Sequence, residues 1–478
     1  MIERAVAGQF RAGQLWQADG WKADVVLAVG ADDRLVAPAD TASSALGAWV
    51  LPGMPNLHSH AFQRAMAGLA ERKGRAPASA SALNAPAAPA IGNVAPGAED
   101  SFWSWRETMY AFAAAIGPDE LKAVAAQLYV EMLKAGYTQV CEFHYLHHQP
   151  DGTPYASAEA MSLALIEAAR EAGIALTLLP VLYMSGGFDG RALGARQRRF
   201  GHRVEHYLRL VQTLRAHEAA DVRVGIALHS LRAVPEAAMH EVLGTELAAA
   251  CPIHIHIAEQ LGEVQDCISM RGARPVEWLL RHVAVDARWC LVHATHLTEA
   301  ETTDLARSGA VVGLCPTTEA NLGDGLFPLA AYVQAGGAFG IGSDSHISIS
   351  PVEELRWLEY GQRLHTHHRN VAASEYGASV GETLWRAALR GGTQASGLPI
   401  GTLYPGARAD LIVLDEHSPL LAARDERSVL DSFIFAGNTP LVRHVMVGGR
   451  WVVRDFEHHD QARIAERYRS VVQRLANV

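Results

Sequence analysis

Short apolar segments alternate eight times with amphipathic segments between residues 50 and 399, and this rhythm most constrains how the chain can fold. The apolar segments are rich in Val, Ile and Leu, which is typical of parallel strands buried on both faces. Eight such strands, each followed by a helix, predict an α/β fold with a closed (β/α)8 TIM barrel. The predicted strands lie at 50–58, 138–144, 175–183, 223–230, 252–259, 289–296, 310–318 and 338–346, and the predicted helices include 119–134, 158–172, 204–217, 235–247, 298–308 and 352–364.

Polar side chains gather at the carboxyl ends of these predicted strands. Examples are His58-Ser59-His60 after the first strand, His293 after the sixth and Asp344 after the eighth. Barrel enzymes place their chemistry at this end of the barrel. An open, doubly wound sheet would instead place a glycine-rich phosphate loop after an early strand, and the sequence contains none. The pattern therefore favours a barrel with its site at the carboxyl ends of the strands.

The two ends of the chain do not follow the barrel rhythm. Residues 1–49 and 400–478 contain strand-like segments at 24–29, 410–414 and 444–453. We expect them to meet in a small composite β-sandwich domain beside a barrel domain of residues 50–399. Residues 74–98 form an Ala/Pro-rich insertion with almost no large apolar side chain, so we expect a mobile excursion there and assign it no chemistry.

Composition and charge indicate which classes of partner and which cellular location to expect. The 478 residues carry a formal net charge of −10 and no run of basic residues, which argues against a nucleic-acid partner. The five cysteines lie mostly inside apolar segments, as is typical of buried thiols in a reducing compartment. The first residues do not resemble a secretory leader, and no long apolar window occurs. We therefore expect a soluble cytoplasmic protein with no membrane partner.

Two histidines after the first predicted strand are the first candidates for metal ligands. Side chains two residues apart on an extended strand point to the same side, so His58 and His60 can face one ion. Zinc prefers nitrogen-rich sites and, where it is catalytic, keeps one position open for water. A single pair of this kind is more often two structural histidines than a metal site, so further ligands are needed.

Two later segments supply the further ligand candidates. His254 and His256 have the same strand parity, and we select His256 because it lies nearer the carboxyl end of its strand. His254 is then a buried structural histidine. Asp344 follows small glycines at the end of the eighth strand and can offer a carboxylate oxygen to an ion. The alternative role of Asp344 is to cap the helix that begins near residue 351.

Together, the polar residues at the strand ends resemble the amidohydrolase superfamily, specifically its mononuclear deaminase branch. The residues that carry this resemblance are His58, His60, His256, Glu259, His293 and Asp344. The resemblance covers almost the whole chain and includes residues 401–411 near its end. It implies one divalent metal ion, with zinc favoured over harder ions, held by the paired histidines, His256 and Asp344. Binuclear members carry a lysine after the fourth strand, and residues 224–230 contain none.

Proton transfer in such a site falls to the residues around the ion. Zinc lowers the pKa of a bound water and so generates hydroxide near neutral pH. We expect Asp344 to accept the proton of that water and Glu259 to carry protons to the substrate nitrogen. His293 would stabilise the oxyanion of the tetrahedral intermediate. The alternative for Glu259 is a surface carboxylate that opens the next helix.

Three longer stretches, at residues 56–65, 315–325 and 342–348, are similar to the formimidoylglutamate deiminases, an enzyme family of histidine degradation. This closer resemblance implies hydrolysis of N-formimino-L-glutamate to N-formyl-L-glutamate and ammonia, and relatives of this kind are commonly homodimers. The substrate carries two carboxylates, which guanidinium groups bind bidentately. The resemblance implies a substrate pocket formed by Gln63, Arg106, Tyr145, His229 and Arg232. For each arginine the alternative is a solvated surface position.

Two other functions stay open at this point. A deaminase or chlorohydrolase acting on a nucleobase-like or triazine heterocycle would need aromatic or amide groups that read a flat neutral ring, whereas two arginines suit a dianionic ligand. A catalytically silent barrel that serves as a scaffold would be free to lose metal ligands without losing its fold. Every expected ligand is present in this sequence, which argues for an enzyme.

Overall fold

The computed structural model describes residues 8–39, 41–71, 102–373 and 379–476. The insertion predicted at 74–98 lies outside these ranges. Within them, none of the helices is long and apolar enough to cross a membrane. All five cysteines are buried, and none is in a disulfide.

The described residues form seventeen strands and fifteen α-helices, besides short 3-10 helices. The strands are β1 (Gln9–Gln17), β2 (Gly20–Val29), β3 (Leu35–Val36), β4 (Ser44–Pro52), β5 (Met54–Ser59), β6 (Tyr137–His144), β7 (Ala175–Leu182), β8 (Val222–Val224), β9 (Ile226–Ser230), β10 (Ile253–Ile257), β11 (Trp289–His293), β12 (Val311–Leu314), β13 (Ala338–Ile341), β14 (Leu411–Leu414), β15 (Val442–Val447), β16 (Arg450–Arg454) and β17 (Glu457–His458). The helices are α1 (Phe102–Ala115), α2 (Pro118–Ala135), α3 (Ala160–Ala172), α4 (Val204–Arg215), α5 (Glu236–Leu243), α6 (Glu246–Ala249), α7 (Leu261–Arg271), α8 (Pro275–His282), α9 (Glu299–Ser308), α10 (Pro316–Leu322), α11 (Leu329–Gln334), α12 (Pro351–Thr366), α13 (Val380–Ser396), α14 (Val429–Phe435) and α15 (Gln461–Leu475).

Eight parallel strands form a nearly closed barrel. Their order is β5, β6, β7, β9, β10, β11, β12 and β13, and the short β8 pairs with β7 just before β9. The last strand lies beside the first, and a parallel bridge between Ser59 and Asp344 joins their carboxyl ends. The predicted (β/α)8 barrel is therefore confirmed.

The barrel strands are buried on both faces. Every residue of β5, β6, β7, β10, β11 and β12 is buried, because helices cover the outside and side chains fill the inside. This double burial is why strands such as β7, β11 and β12 are almost continuous apolar segments instead of alternating ones. The covering helices carry ordinary boundary residues. For example, α2 has Pro118 in its first turn and ends at Gly136, whose φ of 106° lies in the left-handed region.

Three barrel strands end three or more residues earlier than predicted. β11 ends at His293, β12 ends at Leu314 just before Pro316 opens a helix, and β13 ends at Ile341. His293 has a φ of 67°, and Asp344, three residues beyond the end of β13, has a φ of 43°. A strand cannot continue through left-handed backbone, so β11 and β13 give way to turns that carry these polar residues.

The terminal segments form one mixed sheet of eight strands, in the order β17, β16, β15, β14, β4, β1, β2 and β3. β4 lies parallel to β1 and antiparallel to β14, and the chain passes from β4 into the barrel at Gly53. A Cβ at Gly53 would lie 2.2 Å from the Thr138 side chain, so this crossing needs glycine. The predicted segment at 444–453 is a hairpin of two strands, turned by Gly448 and Gly449 at φ of 54° and 73°.

Candidate active site

Four side chains from three strand ends converge at the carboxyl end of the barrel. His58 Nε2 lies 3.1 Å from His60 Nε2 and 2.9 Å from His256 Nε2. Asp344 Oδ1 lies 3.3 Å from both His58 Nε2 and His60 Nε2. All four side chains are buried. We call His58, His60, His256 and Asp344 the site cluster.

Hydrogen bonds to the main chain set the tautomers of two rings in the site cluster. His60 Nδ1 lies 2.8 Å from the carbonyl oxygen of Phe143, and His256 Nδ1 lies 3.0 Å from that of His229. A carbonyl oxygen can only accept, so each Nδ1 carries the hydrogen and each Nε2 presents a lone pair. Lone pairs that face one another and a carboxylate repel unless a cation lies between them. The donor set therefore fits a divalent metal ion.

The pKa of each imidazole in the site cluster lies below its ordinary value. Burial is the largest cause for His58, His60 and His256. Neighbouring imidazoles lower the pKa of His58 and His256 further, whereas Asp344 raises that of His60. Neutral imidazole is the form that binds a metal ion, so the burial prepares these rings as ligands.

His293 and Glu259 lie beside the site cluster. His293 Nε2 is 3.8 Å from Glu259 Oε1 and 3.9 Å from Asp344 Oδ2. Burial opposes a charge on His293, but Glu259, Glu319 and Asp344 outweigh it and raise the pKa of His293 to about 10. Burial also raises the pKa of Glu259, against the effect of His293. One proton can therefore be held between these two side chains near neutral pH.

The five residues expected to bind substrate line one cleft together with His60, His256 and Asp344 of the site cluster. The five residues are Gln63, Arg106, Tyr145, His229 and Arg232. The Gln63 amide donates a hydrogen bond to the Tyr145 hydroxyl at 2.9 Å. Arg106 and Arg232 are both half-buried, so neither is a fully solvated surface residue. The cleft thus joins two guanidinium groups to the converging imidazoles.

The alternative roles considered for the two acidic residues do not match their positions. The helix after the eighth strand is capped by Ser350, whose hydroxyl accepts from the Glu353 amide, and not by Asp344. The Glu259 side chain is only 15% exposed and points to His293. His254, which shares the parity of His256, lies away from the cluster and bonds to the Ala395 carbonyl at 3.0 Å.

Glu142 fixes the backbone that carries the paired histidines, and sequence reasoning gave it no role. Its carboxylate accepts hydrogen bonds from the Ser59 hydroxyl at 2.5 Å and from the Ala61 amide at 2.7 Å. Burial is the main reason that the pKa of Glu142 rises to about 7. The only signal for this role in the sequence is that Glu142 lies near the end of a predicted strand adjacent to the first.

Two further acidic residues contact His293 and the turn that carries Glu259, and sequence reasoning missed them as well. Glu319 Oε1 lies 3.3 Å from His293 Nδ1. Glu263 accepts hydrogen bonds from the amides of Ala258 and Glu259 at 3.2 and 3.1 Å, so it shapes the turn that carries Glu259. Glu319 lies in one of the stretches that carry the closer resemblance, which is the one signal that could have drawn attention to it.

Comparison with known proteins agrees with this geometry. Residues 49–452 match the model of the amidohydrolase family. A formimidoylglutamate deiminase from Pseudomonas aeruginosa is 51% identical over 465 residues, which cover 96% of this chain and 97% of that protein. The structure of an amidohydrolase from Brucella melitensis is 42% identical, with a TM-score of 0.88 over 98% of this chain and 100% of that one.

A more distant structure has the same fold and holds a metal. This adenosine deaminase from Xanthomonas campestris was solved with bound zinc, and it is 22% identical with a TM-score of 0.78 over 98% of each chain. Amidohydrolases are metal-dependent enzymes, in keeping with the donor set described above. From the family match and the 51% identity to a formimidoylglutamate deiminase, the chain belongs to the amidohydrolase family.

Proposed function

We propose that this protein hydrolyses N-formimino-L-glutamate to N-formyl-L-glutamate and ammonia, a step of histidine degradation. The observation that carries the proposal is that Arg106 and Arg232 line the same cleft as the site cluster. A dicarboxylate with a reactive amidine carbon fits such a cleft, because guanidinium groups pair with carboxylates while the imidazoles hold a metal ion. The 51% identity to a formimidoylglutamate deiminase supports the same activity.

We propose that the site cluster holds one divalent metal ion, and that this ion is zinc. His58, His60 and His256 offer nitrogen lone pairs and Asp344 offers an oxygen, a donor set that suits zinc. A second ion is not expected, because the fourth strand unit at residues 224–230 contains no lysine to bridge two metals. When bound, the ion supplies Lewis-acid activation of water. The zinc in the Xanthomonas campestris structure supports this choice.

Three side chains would move or hold protons in the reaction. Asp344 lies against the paired histidines and would accept the proton of the attacking water. Glu259 would protonate the substrate nitrogen and later the leaving ammonia, and its raised pKa suits that exchange near neutral pH. His293, within 3.9 Å of both carboxylates, would donate a hydrogen bond to the developing oxyanion.

The substrate carboxylates would bind to Arg106 and Arg232, which both line the cleft. We propose that Gln63, Tyr145 and His229 complete the pocket. Gln63 already donates to Tyr145, so the tyrosine hydroxyl keeps its own hydrogen for a substrate oxygen. The His229 ring lies with Nδ1 3.0 Å from the Ser230 hydroxyl, which restrains the ring at the cleft wall.

A deaminase of a nucleobase-like or triazine heterocycle is the alternative enzyme. The fold shared with an adenosine deaminase is compatible with it, although 22% identity speaks only for the fold. A flat neutral ring offers no carboxylate to the two half-buried guanidinium groups of the cleft, whereas a dicarboxylate offers one to each of them. The cleft therefore favours a dianionic substrate.

The experiment is an assay of ammonia release, and of chloride release for the chlorotriazine, by the zinc-loaded protein. N-formimino-L-glutamate is compared with a panel of adenine, guanine, cytosine and a chlorotriazine, and the product is identified by NMR. We expect turnover of N-formimino-L-glutamate alone, and its loss after chelation. Turnover of a heterocycle alone would disprove the proposal, and a protein without metal and without activity after zinc addition would indicate a scaffold.

We also propose a homodimer that works in the cytoplasm, with the terminal segments as a composite domain. Five buried, unpaired cysteines suit a reducing compartment. The terminal sheet has an apolar cluster of its own, centred on Leu15, Val50 and Val413, which supports a separate small domain. Sedimentation analysis tests the dimer, because a monomer at micromolar concentration would contradict it.

A further inference from the structure

The helix α10 follows β12, the seventh barrel strand. Side chains of α10 and of the residues just after it contact three of the segments that carry candidate active-site residues. The Thr318 hydroxyl lies 3.0 Å from that of Ser345, next to Asp344. Asp324, just beyond the helix, accepts from the Gln260 side chain, next to Glu259. Between them, Glu319 is buried and lies against His293. These three side chains thus contact His293 and the residues next to Asp344 and Glu259, and none of the three lines the cleft.

Glu319 is held in place from its own backbone. Its Oε1 accepts a hydrogen bond from the Cys315 amide at 2.9 Å, and the same atom lies 3.3 Å from His293 Nδ1. Because the carboxylate is anchored at one end, it offers His293 a fixed acceptor. His293 is the last residue of β11. Its left-handed φ of 67° turns the backbone out of the strand at the residue whose ring faces the carboxylates.

The two ring nitrogens of His293 face different groups. Nδ1 faces Glu319, whereas Nε2 faces Glu259 and Asp344 at 3.8 and 3.9 Å. A group that accepts the Nδ1 hydrogen selects the ring orientation and decides what Nε2 can offer to the reaction. Without that acceptor, a rotation about the last side-chain bond would bring carbon atoms toward the carboxylates.

We propose that Glu319 is a positioning residue: it accepts the Nδ1 hydrogen of His293 and so holds Nε2 toward Glu259, Asp344 and the substrate. This proposal rests on the deimination proposed above, in which His293 contacts the oxyanion. Glu319 touches neither the substrate nor the reacting atoms, and its contribution passes through one hydrogen bond to His293.

The same three side chains admit another interpretation, as a second metal site. His293, Cys315 and Glu319 offer ligand atoms within 4.8 Å of one another. However, His293 Nδ1 and Glu319 Oε1 are already at hydrogen-bond distance, and burial together with nearby carboxylates raises the pKa of the Cys315 thiol well above its usual value. A neutral thiol is a poor ligand, so we interpret the contact as a hydrogen bond.

The test compares Glu319→Ala, Glu319→Gln and Asn321→Ala in the zinc-loaded protein. We expect Glu319→Ala to lower kcat about 100-fold with KM within about twofold, since outer partners of active histidines typically affect activity 10- to 100-fold. Glu319→Gln keeps an acceptor of the same shape, so it should recover most of the loss. Asn321 is on the same helix and donates to Glu71, away from His293, so its replacement should leave kcat unchanged.

A double-mutant cycle separates positioning from a general structural role. If Glu319 acts through His293, adding Glu319→Ala to His293→Gln lowers kcat by less than about twofold more. An additive loss, or a loss in Glu319→Ala that only follows lost zinc or folded protein, would overturn the proposal. A wild-type protein that fails to turn over N-formimino-L-glutamate faults the proposed function instead. Normal wild-type turnover with normal kcat in Glu319→Ala faults only the role of Glu319.

Discussion

Two groups of closely packed histidines in this barrel differ in geometry. One is the site cluster at the carboxyl ends of β5, β10 and β13. The other comprises four histidines at the end of β6 and in the loops after β6 and β7, three of them buried and one half-buried, with ring centroids of successive neighbours 4.4 to 5.0 Å apart. We call His144, His147, His148 and His202 the loop-histidine cluster.

Main-chain carbonyls hold rings in both clusters but at opposite nitrogens. In the loop-histidine cluster, His147 Nε2 faces the Val181 carbonyl at 3.0 Å and His148 Nε2 faces that of Gly201 at 2.8 Å. Among the described residues, the groups whose ligand atoms lie within 4.8 Å of one another include no member of this cluster. Arg199 adds a positive charge that lowers the pKa of these rings.

The difference teaches that neutral, buried histidines are not sufficient for a metal site. Both clusters contain rings whose pKa lies below the ordinary value because of burial. Only the site cluster adds a carboxylate and directs its lone pairs to one point, whereas the other lies near a guanidinium that repels a cation. The loop-histidine cluster instead ties together the loops after β6 and β7, because the backbone amides of His147 and His148 donate hydrogen bonds to the Arg199 carbonyl oxygen.

The strongest test of whether only the site cluster binds metal is to remove one ring from each cluster. His256→Gln should lose zinc and lower activity on the order of 10⁴-fold, because the ligand set and the Lewis acid go together. His202→Gln should keep zinc and change kcat less than about threefold. Metal analysis and steady-state kinetics of both variants measure the difference. Zinc loss from His202→Gln would show that the loop-histidine cluster also binds metal.

Asp344 tests what the carboxylate contributes beyond holding a metal ion. Asp344→Asn keeps the shape of the side chain and the backbone turn, but removes the group that would accept the water proton. We expect kcat to fall by about 10³-fold, within the range for loss of a general base, with the circular dichroism spectrum unchanged. Near-normal kcat in this variant would mean that another group accepts the proton.

The fold was predictable from the sequence because several of the strands that are buried on both faces are almost entirely apolar. Examples are β7, β11 and β12, and the number of such strands and their alternation with helices specify the barrel. The strand ends were less predictable. The turn at Asp344 depends on left-handed backbone that no residue type at that position demands, so the predicted strand ran on.

The site residues that form a repeated pattern at the strand ends were predictable. Those whose role depends on one tertiary contact were not. The paired histidines, His256 and Asp344 share strand-end positions, so the sequence groups them. Glu142 and Glu319 act through tertiary contacts with residues 83 and 26 positions away, and no local period records such contacts. Side-chain positions of this kind need the fold first.

A variant of Arg232 tests whether the cleft beside the site cluster binds an anion. Replacing it with Met keeps the side-chain bulk and removes the charge that would meet a substrate carboxylate. We expect kcat/KM to fall by roughly 30- to 1000-fold, or about 2 to 4 kcal/mol, mainly through KM. Arg223→Met is the matched control, since Arg223 lies on β8 at the start of the same strand unit and bonds to the Ala250 carbonyl. Equal KM values in both variants would contradict the role of Arg232.

The loop-histidine cluster should make the free energy of unfolding depend on pH. This effect is smaller than the changes in activity expected above. Burial, then His202 and Arg199, lower the pKa of His144 to about 3. An unfolded histidine titrates near 6.5, so below that pH the unfolded chain binds a proton that the folded protein excludes. The free energy of unfolding therefore falls by about 1.4 kcal/mol for each pH unit below 6.5, until the folded pKa is reached.

Replacing His144 removes this difference in proton binding between the folded and unfolded states. Between pH 7 and 5.5, His144→Gln should lose about 1 kcal/mol less stability than the wild type, as measured by urea unfolding at each pH. His240→Gln, at an exposed helix position, is the control and should follow the wild type. Parallel stability curves for His144→Gln and the wild type would mean that His144 takes up its proton in the folded protein, against the lowered pKa expected from its burial.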